Sequence, residues 1–272
     1  MLLSKTIGAL LVVFACNAAM AQELFVYTEP ASNMPAKSFG IRITENINKG
    51  YGDNPTINTP LIPELMWGVN KNLMIHAEMF VGNGGRNFDL KGGAMYAKYR
   101  FYSNDQMYRH FRMAVYGRAA VNNGHIHMDM LQINGLNTGY QLGLVGTQLL
   151  HKTALSVNLY YEQATDNLGE NLFPKSMANK AINYSLSVGR LILPQKYTGY
   201  KQMNMNLMCE IIGQQLLADN RQYLSLAPSV QFIFNSQTRI DLGYRYDLYN
   251  NMNTATTTGF LVRLEHLFFN VF

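Results

Sequence analysis

Residues 260–272 read FLVRLEHLFFNVF, and a second patterned stretch, RIDLGYRYDLY, precedes them at 239–249. In both, apolar and polar side chains alternate with a period of two, which places them on opposite faces of a β-strand. Phe260, Val262, Leu264 and Phe268 share a face with the terminal Phe272, while Arg263 and Glu265 share the other. His266 and Asn270 are polar exceptions on the apolar side, at positions suited to a membrane interface. In the upstream stretch Ile240, Leu242, Tyr244, Tyr246 and Leu248 oppose Asp241, Gly243, Arg245 and Asp247. A strand with one apolar face, one charged face and an aromatic carboxyl terminus has the pattern of a bacterial outer-membrane β-barrel, with lipid outside and a polar lumen inside. The expected fold is all-β, a transmembrane up-and-down antiparallel barrel.

Working backwards, similar segments recur, and each is close to the length a tilted strand needs to cross a bilayer, giving about twelve in all. They fall near 38–48, 60–70, 72–83, 92–103, 109–122, 138–150, 153–164, 181–193, 203–216, 223–235, 238–249 and 257–272. In TALSVNLYYEQ, Leu155, Val157, Leu159 and Tyr161 oppose Ser156, Asn158, Tyr160 and Glu162. In GAMYAKYRFY, Met95, Ala97, Tyr99 and Phe101 oppose Tyr96, Lys98, Arg100 and Tyr102. A soluble β-sandwich also alternates, but its strands are shorter and it needs no aromatic terminus. The connections alternate between long and short, as the two rims of a membrane barrel do. PQKYTGYKQ and ADNRQ depart from that rule, so the register of strands eight to ten is the least constrained.

The amino terminus points to the same compartment. Lys5 precedes an apolar run from Ile7 to Ala15, and Ala19-Met20-Ala21 precedes Gln22, the layout of a secretory signal peptide over 1–21. The run is too short for a spanning helix. Lipidation at Cys16 is the competing reading, and the bulky Phe14 disfavours it. Cleavage would remove Lys5 and no acid, lowering the net charge from +5 by one. Basic residues are scattered, and no nucleic-acid motif is present. Only Cys209 remains after the leader, in an alternating run, where it acts as a small apolar residue. With 14% charged residues against 12% aromatic ones, the chain is less charged than an ordinary soluble domain.

The expected organisation is a leader (1–21), a plug-like or periplasmic segment (22–37) and the barrel (38–272). The second of these contains Pro30 and Pro35, which cannot donate to a ladder, so it is no central strand. It either lies free at the rim or packs into the lumen and narrows it.

Projecting the alternation inward gives the candidate lumen-lining set: Arg42, Glu78, Lys98, Arg100, Arg112, Arg118, Glu162, Asp241, Arg245, Asp247, Arg263 and Glu265, with Glu64, His76 and Glu210 on the same face. Two readings stand side by side. Either these charges neutralise one another in a partly wet interior, or Lys98, Arg100, Arg112 and Arg118 form a positive wall that selects anionic or polar solutes. A separate cluster, HIHMDM at 125–130, offers His125, His127, Met128 and Met130, donors that suit copper. In an extended loop the imidazoles and thioethers would point in opposite directions, so a single ion would need a turn; the alternative is an ordinary polar loop. No Ser/His elbow or Gly-rich phosphate loop occurs, so neither an enzyme nor a cofactor is expected.

With these features in place, the chain resembles the broad class of outer-membrane barrels of about twelve strands, including those of the meta-pathway phenol-degradation type and other solute-channel barrels. Its opening, ELFVYTEPASNMPAKSFGIRI at 23–43, looks like that of outer-membrane proteins of the Bacteroidota. The resemblance implies a Gram-negative outer-membrane location, a lipid environment, recognition of the terminal strand by the barrel-assembly machinery and passage of small polar solutes. The other function weighed is a non-conducting surface barrel that adheres or captures metal through its long loops.

Overall fold

The computed structural model describes residues 25–48, 61–83, 88–196, 201–252 and 258–272, so the expected leader lies outside the described residues. The alternating segments form twelve strands: β1 (Ser38–Asn48), β2 (Leu61–Gly68), β3 (Leu73–Asn83), β4 (Phe88–Asp105), β5 (Arg109–Asn122), β6 (Gly139–Leu150), β7 (Thr153–Ala164), β8 (Lys180–Leu193), β9 (Asn204–Leu216), β10 (Gln222–Phe234), β11 (Thr238–Asn250) and β12 (Gly259–Phe268). Each pairs antiparallel with its chain neighbours, and β1 pairs with β12 to close the barrel. Closure leaves no open sheet edge, the condition for strands to sit in hydrocarbon without unsatisfied backbone groups.

The faces follow the alternation. On β7, Leu155, Val157 and Leu159 are exposed, while Ala154, Ser156 and Asn158 are buried. On β12, Phe260, Val262 and Leu264 point out and Leu261 and Glu265 point in. The outer surface is therefore an apolar band of the kind that meets lipid. An even strand number puts the start of β1 and the end of β12 at one rim, called here the terminal end; the other is the loop end. Short turns at the terminal end use residues that tolerate left-handed backbone. Asn235 and Ser236, both at positive φ, join β10 to β11, with Gln237 N donating to Phe234 O at 3.0 Å.

Two details differ from the sequence expectation. The last strand stops at Phe268, because Asn270 takes a φ of 55° and turns the chain; the Phe272 ring then lies 5.5 Å from that of Trp67. β4 is longer than expected at both ends, and a bulge between Arg100 and Tyr102 shifts its register against β5. The extra residue resets the inside-outside parity, so Phe101 and Tyr102 are both exposed instead of opposed.

The interior is filled from both ends. Near the terminal end Phe25, Val26, Ala31 and Met34 of the amino-terminal segment pack on inward-facing residues such as Met66, Met74, Ala154 and Met208. At the loop end Met130, Leu131 and Ile133, from the β5–β6 connection, pack with Ile62, Phe80, Ile212 and Leu216. Full burial of a side chain such as Leu131 or Ile133 favours that position by about 1.5–3 kcal/mol.

Candidate functional site

The amino-terminal segment crosses the lumen, held by inward side chains from half of the strands. Glu210 on β9 is its main anchor. Its Oε1 accepts the backbone N–H groups of Val26 and Tyr27 at 3.0 and 2.8 Å, and its Oε2 accepts that of Thr28 at 3.1 Å. The Thr28 hydroxyl donates to the same carboxylate, and Ser187 Oγ donates to it at 3.0 Å. Successive backbone N–H groups wrapped round a carboxylate make charge-assisted bonds, stronger than neutral ones.

Further along, Ala31 N donates to Thr147 Oγ1 on β6 at 2.9 Å. Lys98 Nζ on β4 donates to the carbonyls of Pro30 and Ser32 at 2.7 and 2.8 Å. Glu29 pairs with Arg42 on β1 at 2.6 Å, and Arg112 on β5 reaches Ser32 Oγ at 3.0 Å. Pro30 and Pro35 fit here because the segment pairs with side chains instead of a strand ladder.

The β5–β6 connection folds in from the opposite end. Leu131 exchanges two hydrogen bonds with the Gln214 side chain, N to Oε1 at 3.0 Å and O from Nε2 at 2.8 Å, and Ile133 N donates to Glu162 Oε1 at 3.4 Å. This fold divides the His/Met cluster. His125 and His127 are exposed, with His127 Nδ1 3.0 Å from the His125 carbonyl; Met128 is half-buried, and Met130 is buried in the apolar cluster. Asp129 is also buried and forms an ion pair with Arg221 of the β9–β10 turn.

Between these two segments lies a chamber of about 200 Å³, lined below by Val26–Glu29 and above by Met130–Gln132 and Asn134. Tyrosines form much of its wall: the Tyr96 and Tyr116 ring centroids are 5.6 Å apart, and those of Tyr116 and Tyr160 are 6.3 Å apart. The Arg118 guanidinium sits 5.0 Å from the centre of Tyr96, and that of Arg245 sits 5.0 Å from the centre of Tyr223.

The lumen-lining charges are mostly engaged with one another. Arg42 holds Glu265 at 2.7 Å as well as Glu29, and reaches Glu64 at 3.5 Å. Arg118 binds Glu78 at 3.0 Å and donates to Gln141 at 2.6 Å. Arg263 donates to Thr44 Oγ1 at 3.1 Å and lies 3.8 Å from Asp241, which also has Arg239 at 3.1 Å. Glu162 accepts from Asn183 at 2.9 Å and Gln214 at 3.3 Å. Asp247 accepts from Ser225 at 3.1 Å. Arg100 sits at the terminal end, its Nη2 2.6 Å from Lys71 O, and Arg112 pairs with Asp105 at 3.0 Å. Glu64, His76 and Glu78 bring potential ligand atoms within 4.8 Å of one another, but Arg42 and Arg118 already occupy those carboxylates, so a cation would have to displace a guanidinium.

Sequence reading passed over Glu29, Arg239 and the inward path of Met130–Ile133. Arg239 shares the parity of Asp241 and was findable on that ground; the other two depend on contacts between distant segments.

No known family model and no curated protein matches this chain. Among solved structures, the CymD monoaromatic hydrocarbon channel is 9% identical, with a TM-score of 0.42 over 88% of this chain and 90% of that one. A loop-deletion mutant of OmpT from Vibrio cholerae is 10% identical, with a TM-score of 0.33 over 85% of this chain and 98% of that one. OmpF of Salmonella typhi, in complex with daunomycin, is 9% identical, with a TM-score of 0.35 over 85% and 96%. Likenesses of this size assign no function.

Proposed function

We propose that this chain is an outer-membrane barrel that carries small polar solutes, and that its amino-terminal segment holds the lumen shut. The observation that carries this is the seating of Val26, Tyr27 and Thr28 on Glu210, with Lys98 fixing Pro30 and Ser32 across the bore. The plug joins the wall through the apolar packing of Phe25, Val26, Ala31 and Met34 and, beyond that, through hydrogen bonds and ion pairs, which exchange with water more readily than a packed core does. A strut meant only to stiffen the barrel would do better with apolar packing throughout. The apolar outer band fits a lipid environment, and the patterned β12 fits recognition by barrel-assembly machinery.

Planar bilayer recording tests this reading. The intact barrel should be silent or nearly so, and Glu210→Ala or removal of residues 23–36 should yield discrete conductance steps. A barrel that stays silent even without residues 23–36 overturns it.

A further inference from the structure

Two side chains of the chamber, Arg245 and Tyr27, keep donor atoms without an acceptor among the described residues. The Nε and Nη2 atoms of Arg245 are buried and without an acceptor among the described residues; the guanidinium lies over the Tyr223 ring, 5.0 Å from its centre, and forms no ion pair with a described carboxylate. The Tyr27 hydroxyl, also buried, has no partner there either. Both residues line the chamber. Buried donors left unpaired cost free energy, most of all when charged, so a site that presents them together is built for an acceptor that arrives from outside.

The rest of the lining says what kind. Arg42 and Arg118 are satisfied by Glu29, Glu265 and Glu78, and Arg263 is held by Thr44 Oγ1 at 3.1 Å and Asp241 at 3.8 Å, so these three hold the wall together and leave Arg245 as the chamber arginine available to a ligand. The one carboxylate of the chamber without a cation beside it, Glu162, already accepts from Ile133, Asn183 and Gln214, and so makes no demand for a positive group. The guanidinium plane is suited to a carboxylate, which it can grip through two parallel bonds. Tyr116 and Tyr160, whose ring centroids are 6.3 Å apart, also line the chamber, and aromatic walls favour a flat apolar body. A volume of about 200 Å³ holds on the order of ten water-sized groups, enough for one ring with one carboxylate.

We propose that the chamber is a binding site for a small carboxylate borne on an aromatic ring, gripped by Arg245 and the Tyr27 hydroxyl. The proposal takes from the transport reading only that solutes reach the chamber. Benzoate and its neutral counterpart benzamide are the probes, titrated by calorimetry into the full-length barrel in detergent, alongside Arg245→Gln. Expected are one benzoate per barrel, affinity for benzoate about tenfold or more above that for benzamide, and a loss of about tenfold or more in the variant. Absence of saturable benzoate binding to the unmodified barrel, or equal binding of benzamide, overturns the proposal without reference to any variant. So does Arg245→Gln binding benzoate unchanged. Conductance by Glu210→Ala together with no benzoate binding to the unmodified barrel would defeat this inference alone; benzoate binding by a barrel that never conducts would defeat the transport reading and leave the site standing.

Discussion

Arg42 and Glu265 face each other across the seam where the first and last strands meet, directly opposed in register and joined at 2.7 Å. Arg42 is 2% exposed and also holds Glu29 of the amino-terminal segment, so one guanidinium couples barrel closure to the plug. Removing Arg42 takes one cation from Glu265, which keeps Arg239 at 3.0 Å, and one from Glu29, which keeps Lys98 at 3.5 Å. Arg42→Ala should therefore cost about 3 kcal/mol, the low end for breaking a buried pair, measured by urea unfolding from lipid vesicles. Arg42→Met combined with Glu265→Leu should recover part of the loss, since no charge of the seam pair is then left behind. Equal losses in the single and double variants would show that the pair matters only through its bulk.

The anchor at Glu210 can be read from the middle of the plug. Asn33 is buried, and Cys209, the one cysteine among the described residues, can be replaced by alanine to leave a clean background. A cysteine introduced by Asn33→Cys should react slowly with a bulky maleimide, and about tenfold or more faster when Glu210→Ala is added, because the segment then opens locally. Gly243 offers a second route to the same end. A Cβ there would lie 2.8 Å from the Tyr27 ring and its hydroxyl, so Gly243→Val should push Tyr27 away and raise labelling too. Labelling unchanged in both variants would mean the segment is held by something other than these two contacts.

Strand positions and facing were legible because lipid and lumen impose opposite chemistry on alternate residues. Leu155 and Ser156 cannot exchange places without putting a hydroxyl into hydrocarbon, and that constraint repeats along all twelve strands. Parity failed where backbone geometry intervened. The bulge beside Arg100 leaves no mark in hydrophobicity, and Asn270 ends β12 through a left-handed φ that nearby aromatics do not announce. The course of the amino-terminal segment was legible only as a choice, since its two prolines exclude a strand without saying where the segment goes. Its partners, Glu210 and Lys98, lie far along the chain, and alternation carries no information about such contacts. Arg245 showed itself as inward-facing, but its lack of a carboxylate partner among the described residues followed only from Asp241 and Glu265 serving Arg239 and other cations.

The chamber wall depends on a small residue opposite a large one. Gly143 on β6 pairs with Tyr116 on β5, and a Cβ at Gly143 would fall 2.3 Å from the Tyr116 ring. Tyr116 also donates to Asn158 Oδ1 at 2.8 Å, a bond that fixes the ring against the chamber. Gly143→Ala should force the ring aside, with an overpacking cost of about 1–3 kcal/mol in the same unfolding assay. Adding Tyr116→Leu should relieve most of it. A Gly143→Ala barrel of unchanged stability would show that Tyr116 moves freely, and would weaken the case for a shaped aromatic wall.

At the loop end, Arg221 joins Asp219 of its own turn to Asp129 of the inward-folded connection, its Nε donating to Asp219 Oδ2 at 2.7 Å. The hydrogen bond from Arg221 holds the Asp219 carboxyl below the usual carboxylate range. A group whose pKa is lowered on folding stabilises the fold above its unfolded value, and that contribution disappears as pH falls through the lowered one. Asp219→Asn should therefore loosen the loop end at neutral pH and make no difference in strong acid, where Asp219 is protonated in any case. Hydrogen exchange of the amides of residues 129–133, compared between the two proteins and corrected for intrinsic rates, reads this directly. The gap in protection should be present at neutral pH and close as the solution is acidified; a gap that persisted in acid would show that Asp219 acts through shape and not charge.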